Sequence, residues 1–287
     1  MLKYRLLFGT IMMAGFTGLL LLDGYLDGSL TEAMANKSVQ GSILAVMVML
    51  LAIPAQFELS NLIKKTGAVV FKPVTILCSV LLSGVWYFRQ FHPEPVQFHF
   101  YYMLAVSVFA ILAIFVYQGR LFGTVGTVKN CSASLFSVFY LGFLSSFVLG
   151  IRVEFGLWPM LMAILVVKSS DIGAYTIGRL FGKHKFAPVV SPGKTWEGIV
   201  GAAIFAIIVA MLFARIADIM TLPQAVLFGA IFAYLGQLGD LAESMIKRDA
   251  AEKDSSQRVP GFGGVLDIID SPLVTAPLAY GFFKLIG

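Results

Sequence analysis

Nine long apolar segments constrain this chain of 287 residues more than any other feature. A helix needs about 20 mostly apolar residues to cross the roughly 30 Å hydrocarbon core of a bilayer. Backbone groups in lipid need internal partners, and these runs are too long for barrel strands, so they are predicted to be helices. The predicted segments are 6–22, 41–58, 67–88, 98–117, 131–150, 157–178, 197–216, 222–246 and 265–285.

The composition agrees with a membrane protein. Hydrophobic residues make up 58% of the chain and charged residues only 13%, whereas a soluble domain is about 25% charged. The net charge of +5 does not indicate nucleic acid, because the cations lie between apolar segments rather than on one soluble face. The sequence therefore predicts an all-α, polytopic membrane protein with about nine transmembrane helices and no nucleic-acid partner.

The cations also predict the orientation of the chain. If the N-terminus is cytosolic, 15 lysines and arginines lie on the cytosolic side and 5 lie on the other side, with Lys168 inside a segment. Cytosolic loops of membrane proteins carry such an excess. The distribution thus favours a cytosolic N-terminus and an external C-terminus.

The first apolar segment has an alternative interpretation as a signal peptide. Lys3 and Arg5 precede it, and Ala33-Met34-Ala35 resembles a cleavage site. The apolar run exceeds the usual length of about 7–15 residues, and a long polar stretch separates it from that site. A retained transmembrane helix is the favoured interpretation.

The chain is predicted to have two regions. Residues 1–150 contain five apolar spans and little polar chemistry. Residues 151–287 contain the remaining spans and two polar loops, 179–196 and 247–264, which are predicted to be cytosolic. The second region is therefore the candidate catalytic region.

The first polar cluster lies in VVKSSDIGAYTIGRLFGKHK, residues 166–185. Lys168, Asp171 and Tyr175 share one face of a helix. Charged residues inside membrane segments nearly always face the protein interior or a wet cavity. They form either a buried ion pair that specifies packing or the lining of a site, and the neighbouring polar clusters favour the site.

The second polar cluster is SPGKTWEG, residues 191–198. Free N–H groups at a helix start, the Lys194 ammonium and the hydroxyls of Ser191 and Thr195 would form an anion site. The full G-x-x-x-x-G-K-[ST] pattern of a phosphate-binding loop is absent, so that motif is rejected. The alternative is that the segment is only a turn and a helix N-cap.

The third polar cluster connects the last two apolar segments. A stripe near the inner end of segment 222–246 consists of Asp240, Glu243, Ser244 and Lys247. Asp267 and Asp270 lie three residues apart at the inner end of segment 265–285. Because these segments run in opposite directions, Asp240 and the aspartate pair are expected to meet at a similar depth.

Three converging carboxylates repel one another and need protons, cations or metal ions. Oxygen ligands without neighbouring cysteine or histidine indicate Mg²⁺, and the flanking lysines and arginines indicate phosphates on the ligand. Together they are typical of phosphoryl or nucleotidyl transfer. Asp267 and Asp270 would also suit the start of a helix electrostatically, but that role does not explain Asp240.

SMIKRDAAEKDSSQRVPGFGGVLDIID, residues 244–270, resembles the signature of the phosphatidate cytidylyltransferases. That signature runs S-x-x-K-R, four residues, K-D, a P-x-H-G-G turn and D-R-x-D. SPGKTWEG resembles the S-P-x-K-[ST]-x-E-G stretch of the family, and SSDIGAY resembles its D-x-x-A-Y stretch. The residues that match the long signature in spacing are Ser244, Lys247, Arg248, Lys253, Asp254, Pro260, Gly263, Gly264, Asp267 and Asp270.

The resemblance implies the reaction of CTP with phosphatidic acid to give CDP-diacylglycerol and pyrophosphate. It implies a Mg²⁺ site of Asp240, Asp267 and Asp270, with Asp171 and Lys247 as further catalytic residues. Substrate phosphates would be bound by Lys168, Ser191, Lys194, Thr195, Ser244, Arg248 and Lys253. The expected location is a bacterial inner membrane, with phosphatidic acid in the inner leaflet and the active site facing the cytosol. The resemblance also implies a homodimer.

Two positions depart from the signature. Phe262 replaces a histidine and Ile268 replaces an arginine, so a proton carrier and a phosphate-binding cation are missing. Lys168 or Arg258 would be able to supply the charge, or the acceptor would differ, or the chain would be an inactive paralogue. The alternative enzymes are a polyprenol kinase and an ether-lipid cytidylyltransferase. The alternative outside enzymes is an ion-coupled transporter that uses Lys168, Asp171 and Asp240.

Overall fold

The computed structural model describes residues 2–30, 39–256 and 263–286, which are mainly helical. The helices are α1 (Leu2–Leu26), α2 (Ser42–Lys65), α3 (Lys72–Ser83), α4 (Val85–Phe88), α5 (Pro95–Phe122), α6 (Thr127–Val138), α7 (Leu144–Phe155), α8 (Leu157–Phe181), α9 (Trp196–Ala217), α10 (Leu222–Asp249) and α11 (Leu266–Ile286). A 3₁₀ turn, Arg89–Phe91, follows α4, and a π-helical turn, Phe139–Phe143, joins α6 to α7.

Each predicted apolar segment overlaps one helix or one broken helix. Six helices in the described residues are long and apolar enough to cross a membrane. A seventh is present if Lys72–Ser83 and Val85–Phe91, which meet at a bend of 48°, form one span. The prediction of an all-α, polytopic membrane protein is thus confirmed, while the number nine and the orientation stay predictions.

Contacts between helix termini define two ends of the bundle. At the polar end, α10 ends and α11 begins, and Lys65 at the end of α2 forms an ion pair with Glu252 beyond α10. At the far end, Asp27 after α1 contacts Arg152 of α7, and Lys284 of α11 lies 2.7 Å from Glu154. Both predicted polar loops, 179–196 and 247–264, begin where helices end at the polar end.

The loop 179–196 contains a hairpin that the sequence analysis did not predict. Strand β1 (Lys185–Ala187) pairs antiparallel with strand β2 (Ser191–Thr195). The two strands are only 3 and 5 residues long, too short to give a periodic pattern. Thr195 at the end of β2 caps α9, because the backbone N–H of Gly198 donates to its hydroxyl over 3.1 Å. The predicted turn and N-cap are therefore present.

Small residues allow the C-terminal helices to pack closely. A Cβ atom at Gly173 of α8 would overlap the backbone of Gly201 in α9. A Cβ atom at Gly239 of α10 would lie 3.2 Å from the Cα atom of Ser271 in α11. Such contacts bring backbones together inside membranes. These close contacts hold α8, α10 and α11 together at the level of the polar side chains.

The far end holds a compact network of opposite charges. The guanidinium of Arg152, which is fully buried, contacts Asp27 directly and lies 3.7 Å from Asp23. Glu154 nearby accepts hydrogen bonds of 2.7 Å from Arg89 and from the Tyr280 hydroxyl. These contacts join α1, α7 and α11.

Candidate active site

Three carboxylates converge at the polar end. Asp240 and Glu243 project from α10 and Asp270 projects from α11, and one oxygen of each lies within 4.8 Å of the others. Glu243 and Asp270 are buried. The close approach of Gly239 to Ser271, each next in sequence to one of these acids, brings the two helices together here. The predicted meeting of Asp240 with Asp270 is confirmed.

Asp267 lies beside this group but is not one of the three. Its Oδ1 atom accepts a hydrogen bond of 2.6 Å from Lys247. Its Oδ2 atom accepts bonds from the Ser255 hydroxyl at 2.6 Å, the Ser255 N–H at 2.9 Å and the Gly264 N–H at 2.8 Å. Asp267 therefore ties α10 and the loop after it to the start of α11. Metal binding by Asp267 stays a prediction.

Lysines from α10 and β2 neutralise part of the negative charge of these acids. Lys247 of α10 donates 2.6 Å hydrogen bonds to both Glu243 and Asp267. Lys194 of β2 lies 2.8 Å from Asp240. The hairpin, which the sequence did not predict, thus places Lys194 of the SPGKTWEG motif next to Asp240.

Gln237 of α10 joins the first polar cluster to the other two. Its backbone oxygen accepts a 2.9 Å hydrogen bond from Lys194, and its amide donates a 3.1 Å bond to Asp171 of α8. Asp171 in turn lies 3.7 Å from Lys168. The three motifs that are separated in sequence therefore form one connected site.

The charge balance and the free oxygens of this site fit a divalent cation. We define the polar cluster as Lys168, Asp171, Lys194, Asp240, Glu243, Lys247, Asp267 and Asp270, in which carboxylates exceed lysines by two. Within the described residues, the buried Oε1 atom of Glu243 has no hydrogen-bond partner and Asp270 has no ion pair. Oxygen-only donor sets suit Mg²⁺. Asp240, Glu243 and Asp270 are thus a suitable ligand set.

The remaining predicted residues lie around the polar cluster. The Ser244 hydroxyl donates to Asp240 over 3.3 Å. Arg248 donates to the backbone oxygens of Val190, at 3.2 Å, and Glu252, at 2.9 Å, so it fastens the end of α10 to the hairpin. Ser191 begins β2, and Lys253 lines a cleft beside the end of α2. Substrate binding by these residues stays a prediction.

Sequence reasoning missed three residues of the site. Glu243 was placed on the stripe with Asp240 but was not assigned to the metal. Glu58 of α2 accepts hydrogen bonds from the loop after α10 and from α11. Tyr140 lies in the π-helical turn, and its buried hydroxyl has no partner in the described residues. The only sequence signal for Glu58 and Tyr140 is a single polar side chain within an apolar run.

Of the two positions that depart from the family signature, the structure describes only one. Phe262, like Arg258, lies outside the described residues. Ile268 lies in the first turn of α11, partly exposed, between Asp267 and Asp270 of the polar cluster. An arginine at this position would add positive charge beside two aspartates.

Comparisons with known proteins agree with these observations. A sequence profile described as the Cytidylyltransferase family matches residues 3–286. A phosphatidate cytidylyltransferase of Staphylococcus epidermidis is 35% identical over 239 residues, which cover 83% of this chain and 88% of that protein. One of Bacillus subtilis is 30% identical over 267 residues, covering 86% and 96%. One of Haemophilus influenzae is 43% identical over 133 residues, covering 45% and 46%.

Proposed function

The chain belongs to the cytidylyltransferase family, and we propose that it transfers the cytidylyl group of CTP to phosphatidic acid, giving CDP-diacylglycerol and pyrophosphate. The observation that carries this proposal is the convergence of Asp240, Glu243 and Asp270 beside Lys194 and Lys247. Carboxylates for a metal ion, flanked by cations for phosphates, are the groups that nucleotidyl transfer needs.

In this reaction a phosphate oxygen of phosphatidic acid forms a bond to the α-phosphorus of CTP. The bond from that phosphorus to the bridging oxygen breaks, and its electron pair leaves on pyrophosphate. The attacking oxygen is already an anion, so no general base is required. The protein therefore acts by positioning the two phosphates and by stabilising their charge.

Asp240, Glu243 and Asp270 are the proposed ligands of Mg²⁺. When bound, the metal would offset the negative charge of the triphosphate and of the pyrophosphate leaving group. Asp171 orients the site through Gln237. Asp267 holds Lys247 and the start of α11, and Asp267→Ala tests whether it also binds the metal.

Cations and hydroxyls around the carboxylates are proposed to bind substrate phosphates. Lys194 and Lys247 already lie at the carboxylates, so both ammonium groups would be available to a phosphate held there. The other proposed phosphate ligands surround them at the polar end: Lys168, Ser191, Thr195, Ser244, Arg248 and Lys253. Thr195 would donate its hydroxyl proton while its oxygen still caps α9.

We propose that the chain crosses a bacterial inner membrane nine times, with the polar end in the cytosol. The excess of cations in the predicted cytosolic loops supports this orientation. CTP would then approach from the cytosol, and phosphatidic acid would enter from the inner leaflet. Residues 151–287 would form the catalytic region and residues 1–150 its support. A homodimer stays a prediction, which cross-linking in native membranes would test.

The direct test supplies purified protein with radiolabelled CTP, Mg²⁺ and phosphatidic acid. A lipid-soluble cytidine product and released pyrophosphate are expected from the wild type, with strongly reduced product from Asp270→Asn. With an added polyprenol, release of CDP and a phosphorylated lipid would instead identify a CTP-dependent kinase. Turnover only with an ether-linked phosphatidate would identify an ether-lipid cytidylyltransferase. No lipid-soluble cytidine product from the wild type with phosphatidic acid would overturn the proposal.

A further inference from the structure

Glu58 is a buried carboxylate of α2 whose partners among the described residues lie about 200 residues away in the sequence. Its side chain accepts hydrogen bonds from the Ser256 hydroxyl at 2.8 Å and the backbone N–H of Leu266 at 2.9 Å, and the Ser255 hydroxyl lies 3.1 Å away. The residue is only 2% exposed. These three partners are uncharged. A carboxylate is costly to bury in an apolar helix, so its role lies in these contacts.

The contact with Leu266 places the charge of Glu58 at the start of α11. Leu266 is the first residue of α11, and the first N–H groups of a helix have no partner within the helix. A negative charge there is also stabilised by the helix dipole. Glu58 therefore caps α11 from another helix. It fixes where α11 begins, and so where Asp267 and Asp270 project.

Ser255 extends this connection into the polar cluster. Its hydroxyl lies 3.1 Å from Glu58 and 2.6 Å from Asp267. A hydroxyl has one proton, so it donates to one of the two carboxylates while its backbone N–H also holds Asp267. Asp267 in turn binds Lys247, and Lys247 binds Glu243. A chain of short contacts thus runs from α2 to a proposed metal ligand.

Gly264 permits this close arrangement. A Cβ atom at this position would overlap both the Ser255 hydroxyl and the Glu58 carboxylate. The glycine of the signature therefore leaves room for Glu58 as well as forming a turn.

A cleft of about 280 Å³ lies between α2 and the loop that Glu58 holds. One wall is Asn61, Leu62 and Lys65 of α2, and the other is residues 252–256. Ser255 and Ser256 belong to this second wall. Their contacts with Glu58 therefore set the distance between the wall and α2. The cleft carries two lysines, two carboxylates and two serine hydroxyls, and Lys65 is already paired with Glu252. Lys253, one of the proposed phosphate ligands, lies on the wall that Glu58 holds.

We propose that Glu58 is a positioning residue for the nucleotide side of the active site. It holds the loop of residues 252–256 and the start of α11 in the geometry that binds the triphosphate of CTP. The proposal rests on the proposed function. It assigns to the N-terminal region one residue that acts on catalysis through Asp267 and Lys247.

The test compares Glu58→Gln with Glu154→Gln. Both variants remove the charge of a glutamate with three polar partners, but Glu154 lies at the far end, where two of its partners are the cations Arg89 and Lys284. Positioning residues around metal sites are worth about 10–100-fold in activity. Glu58→Gln is expected to lower kcat/KM for CTP at least about tenfold and to leave the KM for phosphatidic acid near the wild-type value. Glu154→Gln is expected to lower thermal stability alone.

A second variant covers the case in which Glu58→Gln does not fold. Ser256→Ala removes one donor to Glu58 and keeps its charge. It is expected to lower kcat/KM for CTP as well, by a smaller factor than Glu58→Gln. Wild-type kinetic constants in Ser256→Ala and in any folded Glu58→Gln would overturn this inference, as would loss of stability without a change in kcat/KM for CTP. An inactive wild type would instead overturn the proposed function.

Discussion

The two ends of the helix bundle bury charge in opposite ways. At the far end three carboxylates meet three cations, namely Asp23, Asp27 and Glu154 with Arg89, Arg152 and Lys284. In the polar cluster, five carboxylates meet only three lysines. Buried charges are tolerated when they are paired. The far end is neutralised by its own residues, whereas the described residues of the polar cluster leave an excess of two negative charges.

This difference separates a structural cluster from a functional one. Contacts at the far end join helices, and the charges there are already paired within the protein. Carboxylates at the polar end repel one another, and Glu243 has a free buried oxygen in the described part of the chain. Such an arrangement costs folding free energy and is retained where binding compensates for it. Substitutions at the far end should therefore lower stability, whereas substitutions at the polar end should lower activity.

The largest expected effect is on stability, from Arg152→Met at the far end. The change leaves Asp23 and Asp27 without their buried cation. Breaking a buried pair in this way costs about 3–5 kcal/mol. Thermal unfolding of the purified protein should show a large loss of stability, while kcat of the folded fraction stays near the wild-type value. A selective loss of kcat would contradict the structural assignment of this end.

Asp270→Asn should have the next largest effect, and on activity. It removes a proposed metal ligand with little change of shape. Loss of one preorganised electrostatic group costs about 10²–10³ in kcat. Because one of the mutually repelling carboxylates is lost, stability without Mg²⁺ should rise rather than fall. Full turnover in this variant at saturating Mg²⁺ would exclude Asp270 from the metal site.

Lys194→Met should weaken substrate binding by a smaller factor. The change removes the ammonium at 2.8 Å from Asp240 and its proposed bond to phosphate. Hydrogen bonds from charged groups contribute about 1.5–3 kcal/mol, so the KM for CTP is expected to rise about tenfold or more. Lys185→Met alters an exposed lysine on the same hairpin and is the matched control. Equal changes in both variants would point to the hairpin rather than to Lys194.

Tyr140→Phe should have the smallest effect. The Tyr140 hydroxyl is buried without a partner in the described residues, so its removal should not reduce stability. If the hydroxyl donates to a bound phosphate or a cluster carboxylate, activity should fall about two- to tenfold, the equivalent of one hydrogen bond. Tyr102 is the matched control, because its hydroxyl already donates to the Leu81 oxygen. Unchanged activity in Tyr140→Phe would remove Tyr140 from the site.

The sequence predicted the helices well because lipid imposes a length and a composition on each segment. It did not predict the bend at Gly84 or the hairpin. A Cβ atom at Gly84 would lie 2.7 Å from the Phe88 ring and 2.9 Å from the sulfur of Met49 in α2. The room at the bend thus depends partly on a neighbouring helix that is distant in the sequence. The hairpin is too short to leave a periodic pattern.

The site was predictable where residues share a helix face or a motif. Asp240, Asp270 and Lys194 were found in this way, and the structure brings them together. Asp267 and Glu243 could not be told apart, because both lie on suitable faces and only packing decides which one joins the other two acids. Glu58 was missed because its contact with Leu266 spans 208 residues. No local pattern carries such information.

Asp240, Glu243 and Asp270 are the residues proposed to bind Mg²⁺, on which the assignment of the polar cluster depends. The most direct measurement is the thermal unfolding of purified wild type, Asp270→Asn and Glu154→Gln with and without Mg²⁺. A ligand at about 100 times its Kd adds roughly 2.7 kcal/mol of stability. We expect Mg²⁺ to stabilise the wild type and Glu154→Gln but not Asp270→Asn. Absence of stabilisation in the wild type, or an equal gain in Asp270→Asn, would contradict the claim.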